Sequence, residues 1–525
     1  MRYVVTSAVV GTLLFGAVQG GGAVASTDGT TAEPVVSTQA PAGPETTTAA
    51  DVRPRPNAFV DPLGDVRGGP VPERGPLAQQ ISEELDSRWL GPSNRRSIAI
   101  RDALTGESLA DRHSGRPVTP ASTTKLLSAA AIVTALDPAT TFTTRVVAGE
   151  RPGDVVIVAG GDMLLADGEG DPEAVAGHAG IGDLAAQTAA ALRAGGSGVG
   201  DVDEDGDEGD GAEEDGGEAT TGPGTDAVGP VTVSLDLSHV SGPHALETWS
   251  EHWVAEGWTG RIVQLGRASD RALPFNPSPR QPEQEVARVF REALADQGVE
   301  VVGADAGDED GGEDGGEDAR AEVVTAPAGA VELAAVESAA LRDVLALASA
   351  TSDNAMFEQL ARQAAVAAGH GPDQESVTAW IRDTMTEDLG LDLTGMRIAD
   401  ASGLSDGTLL SMEVVAEVLV AAADGSHPHL QEVLAAGGLP IAGYTGTLGT
   451  GMRFHLPAHA PAVGNARAKT GTLPGVTALA GTVVTAEGRL LAFAVAADDI
   501  ETGSAAVEAA SVLDQIVAQL ARCGC

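Results

Sequence analysis

Apolar and polar positions along this chain alternate in two periods, and the change from one to the other marks out its elements. Ser97-Ile-Ala-Ile-Arg-Asp102 reads as a strand, Leu104-Thr-Gly106 as a turn and 107–111 as the returning strand. Thr119 and Pro120 then make a helix start, with Thr as N-cap and Pro at the first helical position. An apolar run from Leu126 to Leu136 continues that helix until Pro138 stops it. Residues 154–159 are strand-like and 283–297 form an amphipathic helix ending at Gly298. Helical periodicity returns from Val331 to Ser349, and a further helix runs on to His370. Strands are expected at 466–472, 476–484 and 489–497, the last two joined by a tight Glu487-Gly488 turn, and 504–521 closes the chain as an apolar-faced helix. This succession predicts an α+β architecture in which a sheet is flanked by helices.

Length and charge divide that picture further. A chain of 525 residues is too long for one ordinary core and implies two or three domains. The formal charge of −45 is concentrated in part in 201–218 and 305–318, runs of Asp, Glu and Gly that cannot bury enough surface to offset ordering entropy and are expected to be disordered loops. Asp201, Asp203, Asp205 and Gly206 imitate half of a calcium loop, but the twelfth position is Ala212, which cannot serve as its bidentate ligand. The acidity argues against nucleic acid as a partner and against electrostatic docking on anionic lipid.

The first residues follow the pattern of an export signal: Arg2, an apolar stretch from Val4 to Val18, and Ala23-Val24-Ala25 before Ser26. Residues 1–25 are therefore expected to be a signal peptide and 26–76 a flexible stalk rich in Thr, Pro and Ala. The chain is expected outside the cytoplasm, secreted or associated with the cell wall, with little or no membrane association after cleavage. Cys523 and Cys525 stand one residue apart, where a bridge would be strained, so the fold is not expected to depend on disulfides. Trp249, Trp253 and Trp258 read as packing groups in preference to a sugar platform. The histidines show no HExxH or other ligand spacing, so no metal and no cofactor is expected, and no serine sits in a GxSxG elbow.

Chemistry concentrates in three short motifs: Ser122-Thr-Thr-Lys125, Ser352-Asp-Asn354 and Lys469-Thr-Gly471. Singly each has a bland reading, as a helix turn, an N-cap and a surface strand. At a helix start, residues three apart share one face, so Ser122 and Lys125 can bring hydroxyl and amine together beside free N–H groups and the positive end of the helix dipole. A serine hydroxyl needs a base, and a lysine amine serves only when burial and a neighbouring cation lower its pKa. Lys469 is expected to be that cation. Lys469-Thr470-Gly471-Thr472 is expected on a strand whose glycine admits a ligand backbone, with Lys and Thr available for a substrate carboxylate. In this order the three motifs are the signature of serine enzymes that use lysine for proton transfer.

Several further segments carry the same resemblance: Pro120-Ala-Ser-Thr-Thr-Lys-Leu-Leu127, Gly160-Gly-Asp-Met163, Asp400-Ala-Ser-Gly-Leu404, Gly446-Thr-Leu448 and Ala468-Lys-Thr-Gly-Thr-Leu473. Over roughly 97–497 the chain resembles the class C, low-molecular-mass penicillin-binding proteins, the D-alanyl-D-alanine carboxypeptidase/endopeptidase branch. Ser122 and Ser352 stand 230 positions apart, far more than a compact lactamase-like domain requires. That branch carries insertions there, so a penicillin-binding/β-lactamase-like transpeptidase domain is expected in two parts, 77–146 and 331–525, interrupted by smaller inserted domains at 147–330.

The resemblance implies a serine-type hydrolase of peptidoglycan stem peptides that β-lactams acylate. In it Ser122 attacks the carbonyl of the penultimate D-Ala, Lys125 accepts the proton, and Ser352, assisted by Lys469, relays a proton to the leaving amine. Asn354 would bind the substrate amide, Thr470, Gly471 and Thr472 would line the carboxylate and strand-pairing side, and the N–H groups of Ser122 and Thr472 would form the oxyanion hole. Ala401 stands where that pattern has Gly. The alternatives are a class A-like β-lactamase, against which the missing Glu-x-x-Leu-Asn segment argues, and a non-catalytic wall-binding protein of the same fold, against which the intact motifs argue.

Overall fold

Leu490–Asp498 is buried along all of its 9 residues, the mark of a strand covered on both faces. The computed structural model in which it lies describes residues 68–196, 229–302, 320–449, 451 and 453–524. The expected signal peptide, the expected stalk up to residue 67, both acidic runs and the calcium-loop imitation lie outside the described residues. In chain order the strands are β1 (Arg96–Asp102), β2 (Ser108–Arg112), β3 (Thr143–Ala148), β4 (Asp154–Val158), β5 (Thr232–Asp236), β6 (Glu332–Glu337), β7 (Ala466–Leu473), β8 (Val476–Val484) and β9 (Leu490–Asp498).

One sheet has the order β2-β1-β9-β8-β7 and is antiparallel throughout. The alternation of side chains along β9 explains its two coats. Leu491, Phe493 and Val495 join Leu513, Ile516 and Val517 of the helix Ser504–Arg522 and Leu77 of the helix Arg74–Gln80. Ala492, Ala494 and Ala496 face the other way, into the core built on the helices Lys125–Ala135, Asn354–Ala367 and Met412–Ala423. The small side chains on that face let the helix that carries Lys125 lie close to the sheet. Each large buried aliphatic or aromatic side chain contributes about 2 kcal/mol, so both coats are held hydrophobically. The hairpin between β8 and β9 turns at Gly488, whose φ of +81° favours glycine.

A second sheet, of order β5-β4-β3-β6, lies between the two halves of the first in the sequence. Its β4 and β5 run parallel, and its core joins Val146, Ile157 and Val336 to the helices Ile181–Gly196 and Pro282–Asp296 through Leu184 and Phe290. Here the helix expected from Val331 to Ser349 is corrected. Glu332–Glu337 is a strand, and only Leu341–Thr351 is helical. Its Glu, Leu and Ala are good helix formers, but pairing with β3 buries Ala334 and Val336 on one face, and that tertiary gain overrides the propensity.

Two smaller expectations also change. No side chain caps the helix Lys125–Ala135: a 3-10 turn, Ala121–Thr124, precedes it, with Pro120 in the capping position. Cys523 is buried and disulfide-bonded, against the expectation from its spacing, while Cys525 lies outside the described residues. Among the described residues no helix is long and apolar enough to cross a membrane.

Candidate active site

The turn that presents Ser122 is built by its neighbours. Thr123 Oγ1 donates to Pro120 O and Thr124 Oγ1 to Ala121 O, each at 2.8 Å, which tightens the chain into a 3-10 turn before the helix opens at Lys125. Lys125 is 1 % exposed, and its Nζ reaches three oxygens: Ser122 Oγ at 3.1 Å, Asn354 Oδ1 at 2.6 Å and Ser402 O at 2.7 Å. Burial lowers this amine to about 7, although the Asp400 and Glu358 carboxylates pull it upward. Ser122 and Lys125 therefore meet as their spacing predicts, with Asn354 as the third member.

Ser352 closes the helix Leu341–Thr351 in the left-handed conformation, φ 57°, and Asp353 caps the next helix by accepting from Met356 N at 2.7 Å. The cap holds Asn354 as the first helical residue, turned toward Lys125. Asp353 also pairs with Arg271, which comes from the long segment between the first and second motifs.

Lys469 lies on β7, is 0 % exposed, and donates to Ser352 Oγ at 2.8 Å and Thr470 O at 2.9 Å. Its pKa is lowered well below the ordinary value by burial and then by the Lys125 cation. Two expectations change here. The depression at Lys125 comes from burial, with no need for a second cation, and Lys469 is committed to Ser352 and the backbone with no free surface for a carboxylate. Thr470 Oγ1 donates to Thr447 Oγ1 at 3.0 Å.

Gly471 also acts differently from the expectation. A Cβ there would lie 2.6 Å from Pro120 O and 3.3 Å from Ala121 Cβ, so the glycine admits the chain's own turn that carries Ser122. Ala468 N–H donates away from β8, to Pro440 O at 3.0 Å, and strand alternation turns the N–H of Thr472 to the same outer edge. Thr472 is exposed there.

The loop that completes the site escaped the reading of individual residues. Asp400, fully buried, accepts from Gly403 N at 2.6 Å, Ser405 N at 2.7 Å, Ser402 Oγ at 3.1 Å and Trp249 Nε1 at 3.0 Å. Ala401 fits because the left-handed residue is Gly403, φ +77°, where a Cβ would stand 2.1 Å from Ala121 O. Glu358 accepts from Ser402 N at 2.8 Å and Ala401 N at 3.3 Å. The available signal was an ionisable residue one helical turn after Asn354, directly behind the apolar Ala355-Met-Phe357. Of the tryptophans, Trp249 is buried on Asp400, Trp253 packs against the small core around it, and Trp258, 38 % exposed, meets Phe275 edge-on. Among the described residues no group of three or more His, Cys, Asp or Glu is placed to hold a metal ion.

This arrangement can be set beside known proteins. The model of the D-Ala-D-Ala carboxypeptidase 3 (S13) family matches residues 77–205 and 267–520. Carboxypeptidase Rv3627c of Mycobacterium tuberculosis is 32% identical over 433 residues, 81% of this chain and 80% of that protein. Carboxypeptidase DacB of Mycolicibacterium smegmatis is 30% identical over 460 residues, 87% of this chain and 86% of that protein. Among solved structures, penicillin binding protein 4 (dacB) from Haemophilus influenzae matches with a TM-score of 0.59 and 17% identity, covering 84% of this chain and 98% of that one, which speaks for the fold alone. A family match over both halves of the catalytic sheet, with relatives of the same extent, leads to one conclusion: the chain belongs to the D-Ala-D-Ala carboxypeptidase 3 (S13) family.

Proposed function

We propose that this chain is a serine-type D-Ala-D-Ala carboxypeptidase or endopeptidase of peptidoglycan stem peptides, working through an acyl-enzyme on Ser122. The observation that carries the reading is the buried Lys125 amine, lowered to about 7 and 3.1 Å from Ser122 Oγ. Near neutral pH about half of such an amine is unprotonated and able to take the serine proton.

Ser122 Oγ attacks the carbonyl carbon of the penultimate D-Ala while its proton passes to Lys125. The resulting oxyanion lies toward the N–H groups of Ser122 and Thr472, whose charge complementarity appears only in the tetrahedral intermediate. Collapse breaks the C–N bond, and the leaving amine takes a proton through Ser352, which Lys469 touches at 2.8 Å. Water then cleaves the ester, releasing the shortened peptide and restoring the Ser122 hydroxyl. Asn354 and the outer edge of β7 at Thr472 receive the substrate backbone as an added strand. A β-lactam carries a strained amide in place of the peptide and stops at the ester; penicillin binding protein 4 from Haemophilus influenzae has been solved in complex with one.

The leader-like pattern of residues 1–25 supports action outside the cytoplasm. One experiment tests both parts. Envelope and culture fractions are labelled with a fluorescent penicillin, and the labelled protein is read by mass spectrometry. Label on Ser122, its loss in Ser122→Ala with stability within about 1–2 kcal/mol of the parent, and a mature chain beginning at Ser26 are expected. Label retained in Ser122→Ala would place the nucleophile elsewhere. Digestion of purified muropeptides separates the two activities, through loss of terminal D-Ala or conversion of cross-linked dimers to monomers.

A further inference from the structure

Lys125 has three oxygen neighbours, and their arrangement matters for its role as a base. An ammonium has three N–H donors, whereas a neutral amine has two and one lone pair. With Asn354 Oδ1 at 2.6 Å and Ser402 O at 2.7 Å taking the two N–H groups, the lone pair is left for Ser122 Oγ at 3.1 Å. The place of the Ser402 carbonyl thus decides where the base points.

That carbonyl belongs to a loop gripped from two sides. Asp400 holds the far side through Gly403 N, Ser405 N and Ser402 Oγ. On the near side stands Glu358, 5 % exposed, whose two carboxyl oxygens meet Ser402 N at 2.8 Å and Ala401 N at 3.3 Å. It lies on the helix that begins with Asn354, so one rigid element sets both acceptors of the Lys125 amine. We propose that Glu358 is a positioning residue for the base: its carboxyl fixes the Ser402 carbonyl on Lys125 and thereby turns the amine lone pair to Ser122.

The inference rests on the reading of Lys125 as base. Burial, with the Asp400 charge adding to it, pushes the Glu358 carboxyl up to about 8. Gln matches that carboxyl in length and keeps one acceptor oxygen, which makes it the conservative substitute. The groups that face it are Lys125 from the nucleophile helix, Asp400 from the loop and Arg362 one turn along its own helix, with Lys469 behind Lys125.

The test measures β-lactam acylation of the full chain, separating pre-covalent affinity from the acylation rate. Glu358→Gln keeps an acceptor for Ser402 N–H, sacrifices only the longer contact to Ala401, and should slow acylation no more than about tenfold. Glu358→Leu keeps the bulk and loses both acceptors, and should slow it about a hundredfold or more with affinity unchanged. Glu358→Asp withdraws the carboxyl by one methylene and should fall between them, which keeps the test open if the Leu variant does not fold.

A Leu or Asp variant that acylates at the parental rate overturns the proposal. So does a loss in which affinity falls together with the rate, because that reports collapse of the whole site. Parental acylation by Lys125→Arg would instead defeat the base assignment, a failure distinguishable from that of Glu358.

Discussion

At the scale of the residue, the two lysines of the site carry the same formal charge and have different environments. Lys125 touches Ser122, the proposed nucleophile, and is lowered to about 7 by burial, so its unprotonated fraction, and with it the acylation rate, should rise tenfold per pH unit below 7 and level off above. Lys125→Arg should lose at least about a thousandfold in acylation at every accessible pH, since a guanidinium stays protonated. Lys469 has no exposed surface and is wedged between Ser352 Oγ and Thr470 O, so the larger Arg overpacks it and Lys469→Arg should fare little better than Lys469→Ala. Second-order rates for one penicillin, taken from pH 5 to 9, check all three variants. A flat profile for the parent would mean that the amine does not govern the step. The motifs named both lysines, and since both are buried it is their contacts that separate them: Lys125 reaches Ser122 Oγ, whereas Lys469 is held by Ser352 Oγ and Thr470 O.

At the scale of the element, the site is a meeting of a helix start, a helix junction, a strand edge and a loop, and two glycines let them close. Gly403 is the sharper case, because its φ of +77° disfavours any side chain and a Cβ would collide with Ala121 O, one residue before the nucleophile. Gly403→Ala should cost about 2–3 kcal/mol of stability and slow acylation as well, measured by chemical denaturation and penicillin labelling. Loss of stability with parental acylation would show that the loop and the nucleophile turn are uncoupled. Element types were legible wherever both period and pairing agreed, as for β1, β8 and β9. They were misread at 332–337, where the residues favour helix and a partner strand far away in sequence decides otherwise.

At the scale of the whole molecule, burying ionisable groups makes the active site a cost to folding whose size depends on pH. Lys125 has a folded pKa near 7 and an ordinary value of 10.5, so between these this group binds more protons in the unfolded chain and its contribution to stability rises with pH. Between pH 7 and 10 its contribution should amount to about 3 kcal/mol. The stability of Lys125→Met should therefore climb less steeply over that window than that of the parent, by about this amount, in urea denaturation at several pH values. Equal slopes would mean that the amine remains charged in the folded state.

The amino-acid sequence by itself determined the chemistry available to this protein: the three motifs, their order and the long interval between the first two. These are local features, since a nucleophile three residues from a lysine at a helix start, or a threonine-flanked glycine on a strand, depends only on neighbours. Tertiary structure decided how the chemistry is assembled. Lys125 meets Asn354 across 229 positions and Ser402 across 277, contacts that no periodicity encodes. The lowered amine, the carboxyl of Glu358 and the approach of Pro120 to Gly471 all follow from removing water around groups brought together by the cores on either face of the sheet. Desolvation is a property of the packed molecule, so the pKa that makes a lysine a base could be read only once its surroundings were in place.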